Sequence, residues 1–318
     1  MTDIVQEVAL AERRIRAFVR ETPLEASTAL PYSSGARIFL KCENLQHTGS
    51  FKVRGALNKV LSLSSEEVAR GVVTASTGNH GAAVAFALRR IGATGTVFVP
   101  QGASSTKLAA IERQGGTIRV HGLDSSDTEA FARDYALRTG ATYISPYNDV
   151  QVAGGQGTIA VELLRQLDHF DAVFVSVGGG GLIGGIAAHL KAERPAIRII
   201  GCSPENSQVM IQSVKAGRVL DLPSLPTLSD GTAGGVEAGS ITLPLVRDLV
   251  DEFSTVTESE IAAAMRNVME THHMMIEGAA AVAVAAFERQ KAAWAGARVV
   301  VVLCGANISL ATLKEVLR

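Results

Sequence analysis

The sequence predicts an α/β protein of two lobes, each an open, twisted, mostly parallel sheet flanked by helices, and three observations carry that expectation. Its 318 residues exceed the size at which one hydrophobic core stops growing, so two lobes with a cleft between them are expected. Short β-rich runs alternate with longer helical ones along nearly the whole chain, the rhythm of parallel α/β architecture. Those β-rich runs are hydrophobic on both faces, as strands covered by crossover helices must be.

Taken in order, Val8, Ile15, Phe18 and Val19 fall at helical spacing and predict an amphipathic opening helix. Strands are expected at 37–40, 71–75, 95–99, 117–120, 172–177, 198–202 and 298–303. The Pro/Gly-rich stretch 222–239 reads as a long loop, and long loops in compact domains are disproportionately functional. The alanine-rich run 279–286 reads as a helix packed closely on a sheet, and 308–318 as a final helix with no regulatory domain expected after it. No internal repeat, low-complexity segment or long linker interrupts the chain, so topology must divide the lobes. The expected division is a large lobe from 1–44 and 149–318 and a small lobe from 45–148.

The formal charge is only −1, which builds in no attraction toward nucleic acid or an anionic membrane, and neither partner is expected. Cys42, Cys202 and Cys304 lie far apart, without zinc or redox spacing, and fit reduced thiols in a cytoplasm. The N-terminus carries Asp3 and Glu7 and lacks a secretory profile, while the apolar run 278–287 is too short to span a bilayer. His272, His273 and Glu277 are expected on one helix, a spacing able to hold a metal, but no glutamate completes an H-E-x-x-H pattern and no metal is expected. Arg13, Arg14 and Arg16 read as a solvated helix face.

Three loops carry the candidate chemistry. In Ser50-Phe51-Lys52-Val53-Arg54-Gly55 a lysine opens a helix, where the positive end of the macrodipole disfavours an ammonium and favours a nucleophilic amine. The bland alternative is an ordinary exposed lysine. Ser76-Thr77-Gly78-Asn79-His80-Gly81 follows a strand and precedes a helix, a receptor for a carboxylate or else a well-capped turn. His80 is there either an acid/base group or a partner of the turn. In Ser176-Val177-Gly178-Gly179-Gly180-Gly181-Leu182 four glycines let successive N–H groups converge on a phosphate. Gly179, Gly181 and Gly184 also satisfy G-x-G-x-x-G, with Glu205 where a dinucleotide fold keeps its ribose acid, so a dinucleotide and a monophosphate cofactor stay equally open on this loop alone.

Together with Lys41 to Gln46, Gly155-Gln156-Gly157-Thr158, Ser229-Asp230-Gly231, Ile276-Glu277-Gly278-Ala279 and Leu303-Cys304-Gly305-Ala306-Asn307, these loops resemble the pyridoxal-phosphate-dependent serine/threonine dehydratase family of tryptophan-synthase-β-like fold. The resemblance implies that Lys52 holds pyridoxal 5'-phosphate as a Schiff base and then removes the Cα proton of an amino-acid substrate. It implies that Phe51 packs beside the ring, Asn79 bonds its hydroxyl, Gly178, Gly179, Gly180 and Gly181 hold the phosphate, and Gly231 and Glu277 line the rest of the cofactor site. Ser76, Thr77, Gly78, Asn79 and His80 would receive the substrate carboxylate. Cys304 stands where the family has a serine facing the pyridine nitrogen, a weaker donor that is neutral at pH 7 like the hydroxyl it replaces. The implied reaction removes water and ammonia from a β-hydroxy amino acid, leaving a 2-oxo acid. Two departures set this chain apart from the racemase branch. Thr77 stands where that branch places its reprotonating serine and adds a methyl group that should hinder racemisation. Ser203 and Val209 stand where it has its metal ligands, so no such metal site is expected. Racemisation stays the alternative activity and a nicotinamide oxidoreductase the remoter one. Thr77 and the runs from Cys202 to Ser207 and Cys304 to Ser309 look like the hydroxyectoine-utilisation dehydratase subgroup. A homodimer or higher homo-oligomer is expected.

Overall fold

The computed structural model describes residues 2–30, 35–76, 78–123 and 125–318. The first part of the chain forms α1 (Thr2–Ile15), β1 (Leu24–Ala26), β2 (Arg37–Lys41), α2 (Lys52–Ser62), α3 (Ser65–Ala69), β3 (Val72–Ala75) and α4 (Asn79–Arg90). There follow β4 (Thr96–Val99), α5 (Ser105–Arg113), β5 (Thr117–Val120), α6 (Ser125–Thr139), β6 (Thr142–Tyr143), α7 (Val150–Gln166), β7 (Ala172–Ser176) and α8 (Gly181–Glu193). The last part forms β8 (Arg198–Pro204), α9 (Val209–Ala216), α10 (Thr242–Leu249), β9 (Glu252–Val256), α11 (Glu258–His272), α12 (Gly278–Gln290), β10 (Arg298–Val302) and α13 (Leu310–Val316).

Two sheets result, of order β1-β2-β10-β7-β8-β9 and β5-β4-β3-β6. All pairings are parallel except the edge pair β1–β2. Each expected strand is present. Three more appear that hydrophobic runs could not announce: β1 and β9 are edge strands with partly exposed residues, and β6 is two residues long.

In the smaller sheet, alternation along β4 serves two faces. Phe98 packs with Ala132 and Ala136 of α6, whereas Val97 and Val99 pack with Ala82 and Ala85 of α4 and Ile111 of α5. The larger sheet buries β7 and β10, apolar but for Ser176 and Arg298 at their ends, under α12, whose alanines let it lie close to the strands.

Glycines set two helix crossings. A Cβ on Gly55 of α2 would lie 2.6 Å from the Val152 carbonyl of α7, and one on Gly155 would lie 2.6 Å from the Arg54 carbonyl. A Cβ on Gly185 of α8 would lie 2.1 Å from the Ala153 carbonyl. Helix α7 is thus gripped between α2, which starts at Lys52, and α8, which starts at the glycine turn.

Two expectations are corrected. His272, His273 and Glu277 do not share a helix: α11 ends at His272, His273 turns left-handed at φ 54°, and Glu277 precedes α12 as its N-cap. The arginines at the end of α1 and just past it are not a purely solvated face either. Arg13 is exposed, but Arg14 pairs with Glu7, and Arg16 pairs with Glu12 and the buried Glu162 at 2.7 Å. Residues 218–241 form the expected long loop, and among the described residues no helix is long and apolar enough to cross a membrane.

Candidate active site

Lys52 is the first residue of α2, and its position is fixed from both sides. Upstream, the 49–51 segment is laced to the chain after β10, with the Phe51 amide donating to the Cys304 carbonyl at 3.1 Å and the Ala306 amide to the Gly49 carbonyl at 2.9 Å. Downstream, the fully buried Arg54 donates to Glu43 and Glu162, both at 2.7 Å. The Lys52 amine donates to the Pro146 carbonyl at 2.8 Å and stands 5.3 Å from the Phe51 ring centre. Burial lowers its pKa to about 8, against Glu129, Cys304 and Glu277, which pull it upward. Desolvation is therefore the leading cause of the depressed amine pKa.

The Ser76 loop leaves β3 and enters α4. Ser76 Oγ accepts the Gly78 amide at 3.1 Å, and Asn79 and His80 occupy the first helical turn. Thr77 lies outside the described residues. His80 is buried, which with the nearby Lys52 brings its pKa to about 3, so at neutral pH it is uncharged. Its Nε2–H donates to the Ile144 carbonyl at 3.1 Å, and among the described residues its buried Nδ1 has no partner. It can accept a hydrogen bond but supplies no positive charge.

Asn79 belongs to a chain of side chains. Its amide donates to Glu277 at 2.8 and 3.1 Å, while its carbonyl oxygen accepts the Asn307 amide at 2.7 Å. Asn307 also donates its backbone N–H to Glu277 at 3.0 Å. Burial raises the Glu277 pKa to about 7 in spite of these donors. Gly231 lies against the same carboxyl, where an added Cβ would sit 3.5 Å from Glu277 Oε1 and 3.2 Å from Ala279. Cys304 is buried beside Glu277 and Ser176, and burial pushes its thiol well above the usual range, so it stays protonated.

The glycine turn joins β7 to α8. Gly180 has φ 84°, a left-handed conformation that other residues adopt at a cost. A Cβ on Gly179 would lie 2.4 Å from the Tyr147 ring, and one on Gly178 would lie 3.0 Å from Thr232. By helix geometry the first amides of α8 have no intrahelical acceptor, and they sit at the positive end of a 13-residue helix.

One cavity of about 640 Å³ brings together Phe51, Lys52, Ser76, Gly78, Asn79, His80, the four glycines, Gly231, Glu277 and Cys304. It is also lined by residues the sequence did not single out as site groups: Lys107, Glu129, Arg133, Tyr147, Glu237 and Asn307. Asn307 stood inside a quoted run and could have been noticed there. Glu129 and Arg133 sit on a polar helix that reads as a solvated face, and nothing in its pattern marks them.

Pyridoxal phosphate fits these groups. A helix start of four glycines suits its phosphate, a buried amine suits its aldehyde, a neutral thiol suits its ring nitrogen, and the Asn79 amide suits its ring hydroxyl. Glu205, by contrast, is exposed beside Arg289, and Gly184 packs on Leu245.

Comparison with known proteins agrees. A family model described as "Pyridoxal-phosphate dependent enzyme" matches residues 15–305. Serine racemase of Arabidopsis thaliana is 39% identical over 95% of this chain and 92% of its own. L-threonine ammonia-lyase of Thermotoga maritima is 38% identical over 98% of this chain and 78% of its own. The solved structure of maize serine racemase superposes with a TM-score of 0.91 at 34% identity, covering 98% of this chain and 96% of that one. The cofactor is pyridoxal 5'-phosphate, which sets the dinucleotide reading of the glycine loop aside. The chain is an enzyme of the pyridoxal-phosphate-dependent serine/threonine dehydratase and racemase superfamily, with the tryptophan-synthase-β-like fold.

Proposed function

We propose that this enzyme is an ammonia-lyase that removes water and ammonia from a β-hydroxy amino acid resembling threonine or serine, leaving a 2-oxo acid. The observation that carries this reading is the convergence of the Lys52 amine, the Ser76 to His80 loop and the glycine turn on one cavity. Pyridoxal phosphate, when bound, supplies an electron sink for the charge that develops at Cα. Gly178 to Gly181 would hold its phosphate at the start of α8, Phe51 would pack beside the ring, and Lys52 would hold it through Nζ. Asn79 would donate to the ring hydroxyl with its amide oriented by Glu277 and Asn307. Gly231 and Glu277 would close the remaining side, and the Cys304 thiol would face the ring nitrogen without bringing a negative charge to it.

The substrate carboxylate is assigned to the backbone and hydroxyl donors of Ser76, Thr77 and Gly78 and to Asn79, since neutral His80 offers it no cation. Once the substrate amine has displaced Lys52 from the cofactor, the freed Nζ can take the Cα proton. With a pKa lowered to about 8, a useful share of the amine is unprotonated near neutral pH. The β-carbon–oxygen bond breaks and the hydroxyl departs as water with a proton that Lys52, having gained one from Cα, can supply. The released enamine becomes an imine, which water hydrolyses to the 2-oxo acid and ammonia.

Borohydride treatment of active enzyme followed by peptide mass spectrometry should find the cofactor's mass on Lys52. Lys52→Ala should lower ammonia release from serine or threonine by about 10²–10⁴-fold. A bare Lys52 in fully active, reduced protein removes the proposed chemistry. Adding hydroxyectoine-derived amino acids to the substrate panel tests the proposed subgroup.

Racemisation is the second reading, favoured by the serine racemase relatives, while Thr77 keeps the hydroxyl of the racemase branch's serine but adds a methyl group that should hinder it. Chiral analysis decides it: accumulation of the opposite enantiomer without oxo acid makes the enzyme a racemase. We also propose residues 45–148 as the small lobe and 1–44 with 149–318 as the large one, joined in a cytoplasmic homodimer or higher homo-oligomer. The three free, buried cysteines are consistent with a reducing compartment.

A further inference from the structure

One wall of the cavity takes no part in the chemistry assigned above. It is made by Glu129 and Arg133 of α6 and by Glu237 from the long loop before α10. Arg133 lies between two carboxylates there. It donates to Glu129 Oε2 at 3.3 Å, forms an ion pair with Glu237 Oε1, and stacks its guanidinium 5.4 Å from the Tyr143 ring centre. Glu237 is further held by the Asn148 amide at 2.8 Å and by its own N–H donating to the Tyr147 hydroxyl at 2.9 Å. Glu129 by comparison is loosely held. Among the described residues its carboxylate has that single, long hydrogen bond from Arg133, and of the charges drawing on the Lys52 amine it exerts the largest pull.

Counted by formal charge, two carboxylates and one guanidinium leave this wall with one net negative charge, although burial raises the Glu129 pKa against the pull of Arg133. The remaining basic groups do not offset it: Lys107 is paired with Asp230, His80 is neutral, and Arg113 is exposed to water. With the amino-acid carboxylate at the Ser76 loop and Cα beside Lys52, the substrate side chain has this wall to face. We infer that Glu129, fixed by Arg133 and Glu237, is a specificity-determining residue that accepts side chains ending in a hydrogen-bond donor and rejects those ending in a second carboxylate. A hydroxyl or amide N–H meets an acceptor there, whereas a carboxylate meets like charge in a half-buried site.

This inference rests on the proposed amino-acid substrate, and asparagine and aspartate test it separately from the elimination. They match in size, and neither carries a β-hydroxyl. Binding of each to the holoenzyme is read from the change in its visible absorption, with no turnover required. L-asparagine is expected to bind at least about tenfold more tightly than L-aspartate, and Glu129→Gln to bring the two within about threefold of each other. Equal affinities in the wild-type enzyme overturn the inference whether or not the variant folds. A ratio unchanged in a folded Glu129→Gln protein overturns it too. If no β-hydroxy amino acid releases ammonia, the elimination reading falls, while the asparagine-to-aspartate ratio still decides the selectivity.

Discussion

At the scale of single residues, Glu277 has the sharpest pH signature. Its carboxyl is neutral below about 7 and anionic above, because burial outweighs the donors that favour the anion. Its folded pKa lies above the unfolded value near 4.5, so its contribution to stability is complete in acid and is lost as the pH rises through about 7. Glu277→Gln should therefore raise the melting temperature more at pH 8 than at pH 5, up to an equivalent of about 3 kcal/mol. In the holoenzyme the same substitution should abolish any titration of the visible band between about pH 6 and 8. An identical titration in the variant assigns it to another group. Lys52 was legible in the sequence because a lysine between an aromatic residue and a glycine-bearing helix is an uncommon neighbourhood. The role of Glu277 as the base of the Asn79–Asn307 chain was not, because those three residues come from distant parts of the chain.

At the scale of elements, the helix crossings are the sensitive points. An added methyl at Gly185 collides with the Ala153 carbonyl, a backbone atom that cannot swing away. Gly185→Ala should destabilise the protein by about 1–3 kcal/mol or more through overpacking, seen as a lower melting temperature by calorimetry. Unchanged melting shows that α7 and α8 can separate freely. Strands β3, β4, β7, β8 and β10 were readable from sequence because burial on both faces demands unbroken apolar runs. Strand β9 was not readable, since an edge strand reading Glu-Phe-Ser-Thr-Val carries too little of that pattern. The break at His273 was missed for a related reason: local propensity continues the helix, and only a left-handed residue ends it.

At the scale of the whole molecule, the buried charges hold distant segments together. Glu162 of α7 accepts from Arg54 of α2 and Lys41 of β2, and Arg16, just past α1, reaches the same carboxylate. Burial alone would raise the Glu162 pKa, but Arg54 and Lys41 outweigh it and bring it to about 2. A depressed carboxylate lends its stability above the unfolded pKa and loses it as the pH falls toward 2, here about 3 kcal/mol. Glu162→Gln should cost about 3–5 kcal/mol near pH 7 by stranding buried cations, with the difference from wild type narrowing as acid neutralises the native glutamate. A gap that stays constant down to pH 2 in denaturant titrations contradicts this account. The same long reach governs how the polypeptide comes off the ribosome. Strand β2 pairs with β10, almost the full length of the chain later, whereas the four strands of the smaller sheet are all contiguous in sequence. The smaller sheet can therefore assemble while synthesis continues, but β2 waits, one edge unpaired, until the last segments emerge. Nascent chains that stop short of residue 298 should keep that edge open to proteases and to aggregation.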